Sequence, residues 1–459
     1  MCGWRGLLAL GMALCVSGCA TVRSYDAELH GTLDRAAGGN VDGAIKLLDA
    51  SNGDKKSLLY QLELGMLQRL GGNYGESQKA WTGASAGIDT ARTAGLLDAA
   101  QLAGGAASYM ISDKLRPYRA HDYEQVMLLT YMALNYLALG DYESARVAIK
   151  QTHEREAEIA EERAKQLAAV EEEANKRGAR ANYKELNGYP VETIDNPEVN
   201  ALRNSYQSAL SHYLAGFVYE ALGEPSLAAP GYRLANELQP GQPLLEEALA
   251  GLDARVAAPD DGKTDVLMII GSGAAPALQS RQFTTPIFIN NKLILIPAAF
   301  PVMVSGGMPA SSPQLAVDGK ALALAPLTSI DLMARRSLQD DMPGIMLRAA
   351  IRSTTSAALQ YNAQHGDRQN SGAALVSALL AVGTVALNSA DDRTWRALPA
   401  EISIARLRLP RGVHNATLDG RSFPLEVSGR YAVVDFRLLR SQVFVSAPKV
   451  SAPNAALVR

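Results

Sequence analysis

The pattern of apolar and polar positions changes near residue 258. Before that point the chain is rich in charged and helix-forming residues, and small and aromatic residues recur in a fixed order. After it, Val, Ile, Pro and Gly are abundant, and short apolar runs are bounded by turn residues. Short apolar runs between turn signals are typical of strands. The pattern therefore predicts a multidomain α+β protein, with an all-α domain at residues 19–257 and an α+β domain at residues 258–459.

The second domain is expected to contain several strands and two helices. The first helix is expected at 341–364, capped by Asp341 and with Pro343 in its first turn, a position that tolerates proline. The second, at 373–388, is apolar nearly all round but too short to span a bilayer, so a buried core helix is favoured over a membrane element. Strands are predicted at 265–270, 286–289, 292–296, 302–305, 402–409, 431–438 and 443–446.

Residues 215–240 carry an ordered set of small, aromatic and turn-forming residues. Small residues let two helices cross closely, aromatic residues fill the groove between neighbouring helices, and a glycine ends the first helix. In this order the segment resembles one tetratricopeptide (TPR) repeat. The matching residues are Gly216, Tyr219, Gly223, Ala228, Tyr232, Ala235 and Pro240.

The same order fits three segments upstream. One copy carries Gly65, Tyr74 and Trp81; another carries Ala133, Tyr136, Gly140, Tyr142 and Ala145; a degenerate copy starts at Thr32. The residues at position 8 of the repeat are 32, 65, 133 and 216, and the first two gaps match one and two repeat periods of about 34 residues. A TPR-like solenoid is therefore predicted, with a concave face that binds a peptide or protein. In the alternative, the array is only a spacer or an intramolecular clamp on the second half.

A highly charged insertion, at about residues 150–190, separates the last two copies. Its composition favours a helix that continues from Tyr142. Apolar residues are sparse in it, so an elongated and mostly solvated helix is expected, with a docking arm or coiled-coil contact as the alternative.

The first twenty residues have the layout of a secretory signal. Arg5 precedes an apolar run at 7–16, and small residues follow. The run is too short to span a bilayer. Val16-Ser17-Gly18-Cys19 resembles a lipobox, which implies a signal peptide at 1–18, cleavage before Cys19 and lipid on its thiol. An ordinary signal peptide is the alternative. Because Ala20 and Thr21 follow, and no aspartate, the resemblance implies an outer-membrane anchor facing the periplasm.

The cysteine content and the net charge limit the reactions and the partners that can be expected. Cys2 and Cys15 would leave with the signal, so the mature chain would have no free thiol and no disulfide. The net charge of −3 shows no basic excess, and nucleic acid is not expected as a partner.

No motif for catalysis is found. The six histidines lack the spacing of zinc ligands, and no Gly-x-Ser-x-Gly elbow is present. Gly262-Lys263-Thr264 precedes a predicted strand instead of following one, which argues against a nucleotide site. We therefore expect no enzyme activity, metal or cofactor.

One local cluster is the candidate binding loop. Residues 390–399 place two acids, two arginines and a tryptophan together, and Asp392, Arg393 and Trp395 are its candidate binding residues. Charge-assisted hydrogen bonds would fix such a loop while the tryptophan anchors it. The alternative is a structural staple between helix and sheet.

The whole layout resembles a family of proteobacterial outer-membrane lipoproteins with TPR-like repeats and a C-terminal α+β module. The resemblance is carried by Cys19, residues 216–240, and the residues Asp392-Arg393-Thr394-Trp395 with Leu398-Pro399. It implies location and architecture but brings no activity. The expected function is a lipid-anchored periplasmic scaffold that binds a cell-envelope protein or peptide through its repeats. The alternative is an envelope-maintenance enzyme or a polysaccharide-binding module in the C-terminal domain.

Overall fold

The computed structural model describes residues 24–52, 57–101, 114, 116–177, 179–180, 182–289, 292–365 and 389–447. The chain is a mixed α+β protein, as its sequence predicts. Its helices are α1 (Tyr25–Ala37), α2 (Val41–Ser51), α3 (Leu58–Leu70), α4 (Tyr74–Gln101), α5 (Asp122–Ala138), α6 (Tyr142–Arg177), α7 (Pro197–Ala201), α8 (Ala209–Ala221), α9 (Pro225–Leu238), α10 (Pro243–Ala250), α11 (Leu252–Ala257) and α12 (Ile330–His365).

The strands are β1 (Ala179–Arg180), β2 (Lys263–Ser272), β3 (Ala277–Ile289), β4 (Lys292–Val304), β5 (Leu315–Val317), β6 (Lys320–Leu322), β7 (Ala325–Ser329), β8 (Glu401–Pro410), β9 (Gly412–Leu418), β10 (Arg421–Val427), β11 (Tyr431–Leu439) and β12 (Gln442–Ser446). Cys19 and the apolar helix expected at 373–388 lie outside the described residues. Among the described helices, none is long and apolar enough to cross a bilayer.

Four helical hairpins in the first half are each closed by a turn of the same type. The pairs are α1–α2, α3–α4, α5–α6 and α8–α9, and a glycine with φ between 73° and 84° stands at each turn: Gly39, Gly72, Gly140 and Gly223. The residue after each glycine donates its N–H to a carbonyl five residues back, as Asn73 does to Gln68 at 2.9 Å. Glycine adopts this left-handed conformation without the steric cost of a side chain, which is why it ends the first helix of each pair.

The sheets form two layers behind these helices. A five-stranded sheet has the order β12-β11-β2-β8-β7, with β11 parallel to β2 and the other pairs antiparallel. A four-stranded sheet, β10-β9-β5-β6, packs on its far side. Successive side chains of β2 point to opposite faces of the sheet. Leu267 and Ile269 lie in the core shared with the helices, and Val266, Met268 and Ile270 lie in the core between the sheets.

A long antiparallel hairpin, β3 with β4, forms a third sheet together with β1. The sequence predicts two separate strands, 292–296 and 302–305, where the structure has the single strand β4. Pro297 and Pro301 do not end it, because β4 is an edge strand of this sheet and proline is tolerated at an edge.

The helix expected at 341–364 begins eleven residues earlier, at Ile330. Pro343 was expected in its first turn but lies in its interior. The true start follows Ser329, whose Oγ accepts the N–H of Leu332 at 3.1 Å. The buried side chains of the first turns recur at helical spacing, at Ile330, Met333, Ala334, Ser337, Leu338 and Met342.

The compositional break at residues 257–262 suggests separate cores for the two halves, and the structure shows otherwise. One continuous cluster of buried side chains runs from Leu29 in α1 to Leu439 in β11. The expectation of separate cores is wrong because composition reports which elements form and not which faces they bury against one another.

Candidate partner-binding loop

The candidate loop lies inside the molecule. Residues 389–400, here called the inner segment, run from the end of the undescribed stretch after α12 to the start of β8. Asp392, Trp395 and Arg396 are 3%, 0% and 1% exposed. Arg393 is partly buried, with an 18% exposed side chain. A segment this enclosed does not offer these side chains to a partner in solution.

Two glutamates of the helical half hold the backbone of the inner segment. Glu63 of α3 accepts the N–H groups of Arg396 and Ala397, at 2.7 and 3.0 Å, one on each carboxyl oxygen. Glu124 of α5 accepts the N–H of Trp395 at 2.6 Å. Three consecutive backbone donors therefore end on two buried carboxyl groups, which satisfies groups that would be costly to leave unpaired.

Burial sets the electrostatics of this contact. It raises the pKa of Glu63 from 4.5 to about 8, although the N–H donors of Arg396 and Ala397 act to lower it. Tyrosine hydroxyls complete the shell: Tyr25 donates to Glu63 at 3.4 Å, and Tyr118 and Tyr123 donate to Glu124. Burial raises the pKa of all three tyrosines, which keeps them protonated as donors.

The two buried tryptophans meet at this contact. Trp81 of α4 and Trp395 pack edge to face, with ring centroids 6.0 Å apart. Trp81 donates its indole N–H to the carbonyl of Leu62 at 3.2 Å. An aromatic pair of this geometry adds about 0.5–1.5 kcal/mol beyond the area it buries. The candidate anchor Trp395 is therefore an anchor to the chain's own helices.

Charged side chains form ion pairs around the contact between the inner segment and the helices. Arg393 pairs with Asp391 at 2.7 Å, lies over the Tyr118 ring and donates to the carbonyl of Arg116. Asp392 pairs with Lys114 at 3.0 Å. Arg396 pairs with Asp26 of α1 at 2.9 Å. The sequence prediction that charge-assisted bonds fix the loop agrees with this geometry, which is that of a staple.

Two further buried ion networks join helices of the first half to the five-stranded sheet. Arg69 of α3 pairs with Asp435 of β11 at 2.9 Å and donates to Asn135 of α5 at 2.6 Å. Arg406 of β8 binds both oxygens of Asp265 and reaches Glu220 of α8 at 2.7 Å. These contacts, together with others such as the Ser208–Thr328 hydrogen bond and the Arg163–Asp341 pair, join the helical half to the second half of the chain.

The residues predicted to frame the repeats lie at helix crossings and turns. A Cβ on Gly65 would lie 2.1 Å from the Trp81 indole, and one on Gly216 would lie 2.6 Å from the Tyr232 ring, so each glycine makes room for an aromatic side chain of the paired helix. Gly140 and Gly223 form turns. Ala133, Ala145 and Ala228 are fully buried, Tyr74 is buried, Tyr136, Tyr142 and Tyr219 are partly buried, and Pro240 is exposed just after α9 ends.

Sequence reasoning missed Glu63, Glu124, Arg69, Arg406 and Glu220. The residues of this set that lie on helices could be suspected from the sequence. Each is a charged residue on an otherwise apolar helix face, as Glu63 is among Leu62, Gly65 and Met66. Such a residue needs a buried partner, although the sequence alone does not say which.

The carboxyl groups of this site are engaged within the chain. The Glu63 and Glu124 carboxyl groups are closed to solvent and occupied by backbone and tyrosine donors. No group of acidic, histidine or cysteine side chains among the described residues is arranged to hold a metal ion. The comparisons add no relative: no family model, curated protein or solved structure matches the chain.

Proposed function

We propose that this protein is a non-enzymatic, lipid-anchored scaffold of the outer membrane that faces the periplasm. The observation that carries the proposal is that Glu63 and Glu124 accept three consecutive backbone N–H groups of the inner segment. Helical repeat arrays form extended surfaces that bind other chains. Here the bound segment belongs to the same chain.

The array itself is proposed to be TPR-like. Four helical hairpins with one shared glycine turn support this assignment, as do the close crossings at Gly65–Trp81 and Gly216–Tyr232. The long helix α6 fits the charged insertion, because it continues from Tyr142 to Arg177 and the side chains that the structure describes beyond Arg163 are exposed.

Because Glu63 and Glu124 already bind the inner segment, a partner would bind elsewhere on the helices. The repeats act as an intramolecular clamp on the sheet module, so a cell-envelope protein or peptide would use a surface outside this contact. Exposed apolar side chains occur in two of the hairpins, at Leu139 and Val147 in the first and at Leu227 in the second, and Arg146 and Glu224 pair across these two hairpins at 3.0 Å. We propose that these side chains contribute to the surface that binds the partner.

Acylation tests the anchor. Cells that express the wild-type chain or Cys19→Ser are grown with a fatty-acid analogue, and incorporation into the protein is measured. The proposal predicts label on the wild type and none on the variant. Equal labelling of the two chains would remove the anchor from the proposal.

Partner binding is tested by photo-crosslinking in living cells. A photoreactive residue at Val147 is compared with one at Val413, which is 72% exposed on the sheet module. The proposal predicts a discrete envelope adduct from position 147 and not from position 413. The same adducts from both positions would show that the surface around Val147 is not a specific binding surface.

A further inference from the structure

Two histidines stack between the third hairpin, α5–α6, and the fourth, α8–α9. The rings of His153 in α6 and His212 in α8 lie with their centroids 5.1 Å apart and their planes 13° from parallel. His212 is 3% exposed, and His153 is partly buried. Two neutral imidazole rings can stack in this way, whereas two imidazolium ions would repel each other strongly in a site largely closed to water. This histidine contact therefore depends on how many protons the pair holds.

The polar atoms of the histidine contact lack hydrogen bonds. Nε2 of His153, Nε2 of His212 and Oε1 of Glu156 are buried and have no hydrogen-bond partner in the part of the chain that the structure describes. His212 Nε2 lies 3.1 Å from the other oxygen of Glu156, which is within ion-pair distance but not aligned for a hydrogen bond. Glu156 can compensate one positive charge on the pair. A second proton would leave a buried charge without compensation, which is costly.

The neighbouring charged groups are engaged with other residues or remain neutral. Arg155 of α6 pairs with Asp89 of α4 and donates to Gln125 of α5. Burial, and then the charge of Glu156, raise the pKa of Tyr206, which precedes α8 and therefore stays protonated. Further titratable or charged groups on the elements packed there are Asp122 of α5, Glu158 and Arg163 of α6, Arg203, Tyr213 of α8 and Tyr232 of α9.

The sign of the pH dependence follows from the position of His153. Burial lowers its pKa below the ordinary value of 6.5, and His212 lowers it further, although Glu156 acts to raise it. An opened contact returns the ring to water and to the ordinary pKa. The closed contact is therefore fully stabilised above about pH 6.5 and loses stability as the pH falls below it. For each proton taken up, the equilibrium constant for opening rises by at most about tenfold per pH unit.

The same two hairpins carry the surface proposed to bind the partner. Val147 lies on α6, on the same helix as His153, and Leu227 lies on α9 in the hairpin of His212. The two hairpins are also joined by the pair between Arg146 and Glu224, at 3.0 Å. Separation of α6 from α8 would therefore move Val147 relative to Leu227 and change the shape of the partner surface.

We propose that the stacked His153–His212 pair is a pH-sensitive contact that holds α6 against α8 at neutral pH and releases it in acid. Release lowers the affinity of the partner surface, so acidification is a negative regulator of binding. The regulation of binding rests on the proposed function, whereas the release of α6 from α8 does not.

Hydrogen exchange of the purified mature chain at about pH 7 and pH 5, on either side of the ordinary histidine pKa, tests the release. Protection factors, which remove the intrinsic pH dependence of exchange, should fall at the lower pH in peptides that cover 145–160 and 209–216 of the wild type. They should not fall in His153→Phe, which keeps an aromatic ring but cannot be protonated. His30→Gln is the matched control, because the His30 side chain is 64% exposed on α1, and it should behave as the wild type does.

A second variant guards against a packing effect of the phenylalanine. His153→Gln is polar but does not titrate, so it should also abolish the fall in protection between the two pH values. Equal protection of the wild type at both pH values, or the same fall in both variants, would overturn the pH-sensitive contact.

Photo-crosslinking from position 147 at the same two pH values tests the regulation. Adducts of the wild type should decrease in acid, and those of His153→Phe should stay constant. A constant yield from the wild type, while hydrogen exchange shows the release, would overturn the control of binding by this contact. Absence of adducts at both pH values would instead contradict the proposed function.

Discussion

Removal of the Glu63 side chain tests how much the inner segment contributes to the fold. In Glu63→Ala, the buried N–H groups of Arg396 and Ala397 lose their acceptors. A buried donor without a partner costs about 1–3 kcal/mol, so the two together cost about 2–6 kcal/mol. The variant also removes a carboxyl group whose ionisation burial opposes, which offsets part of this. We expect a net loss of about 2–4 kcal/mol in the free energy of unfolding.

Glu63→Gln separates the hydrogen bonds from the volume of the side chain. The two N–H groups bind different carboxyl oxygens. A glutamine offers one carbonyl oxygen and turns its amide N–H₂ towards the other donor, so one bond is lost. The expected loss is about 1–3 kcal/mol.

Urea unfolding and hydrogen exchange together measure this effect. Exchange should accelerate most in peptides that cover residues 391–400, because the affected amides belong to the inner segment. Glu76→Ala is the matched control, since Glu76 also lies on a helix of the array but is 65% exposed. If Glu63→Ala destabilises the protein no more than Glu76→Ala does, and exchange in the inner segment is unchanged, the grip on the backbone is not a stabilising contact.

Three more results are expected. Burial raises the pKa of Glu63 from 4.5 to about 8, so between these pH values the folded state holds a proton that the unfolded state releases. The free energy of unfolding of the wild type should therefore fall relative to that of Glu63→Gln as the pH rises from about 5 to about 8. A constant difference in free energy between the two proteins over this range would contradict the prediction. Gly216→Leu should overpack against Tyr232, which costs about 1–3 kcal/mol of the free energy of unfolding and lowers the melting temperature. Glu161→Leu should change the melting temperature little because that side chain is solvated, and equal effects would refute the helix crossing. Proteolytic cleavage within 258–262 should leave two fragments that stay together in size-exclusion chromatography, since they share one core; separate elution would refute the shared core.

Much of the local structure follows from the sequence. The glycines at Gly140 and Gly223 sit at turns because their left-handed φ excludes most other residues, and this requirement is visible in the repeat pattern. The central strands follow from their apolar runs, as in β2, where 265–270 was predicted within Lys263–Ser272. These features depend on neighbours close in sequence.

The contacts of the candidate site could not be found in this way. Glu63 and Ala397 are 334 residues apart in the chain, and nothing in either segment names the other. The sequence shows only that a glutamate stands on an apolar helix face and that a tryptophan stands in a charged loop. Both alternatives for that loop, partner binding and staple, fit the same residues; the tertiary packing around Trp81 and Trp395 distinguishes them.

The central claim, that the helical array binds its own inner segment, is tested most directly by tryptophan fluorescence. Apart from Trp4 in the predicted signal peptide, the chain has only Trp81 and Trp395, one on each side of the contact. Fluorescence and helical circular dichroism are followed through urea unfolding of the mature chain, with Trp395→Phe to assign the signal. Coincident transitions are predicted, because the contact belongs to the shared core. Exposure of both tryptophans at a urea concentration where the helices remain intact would contradict the claim.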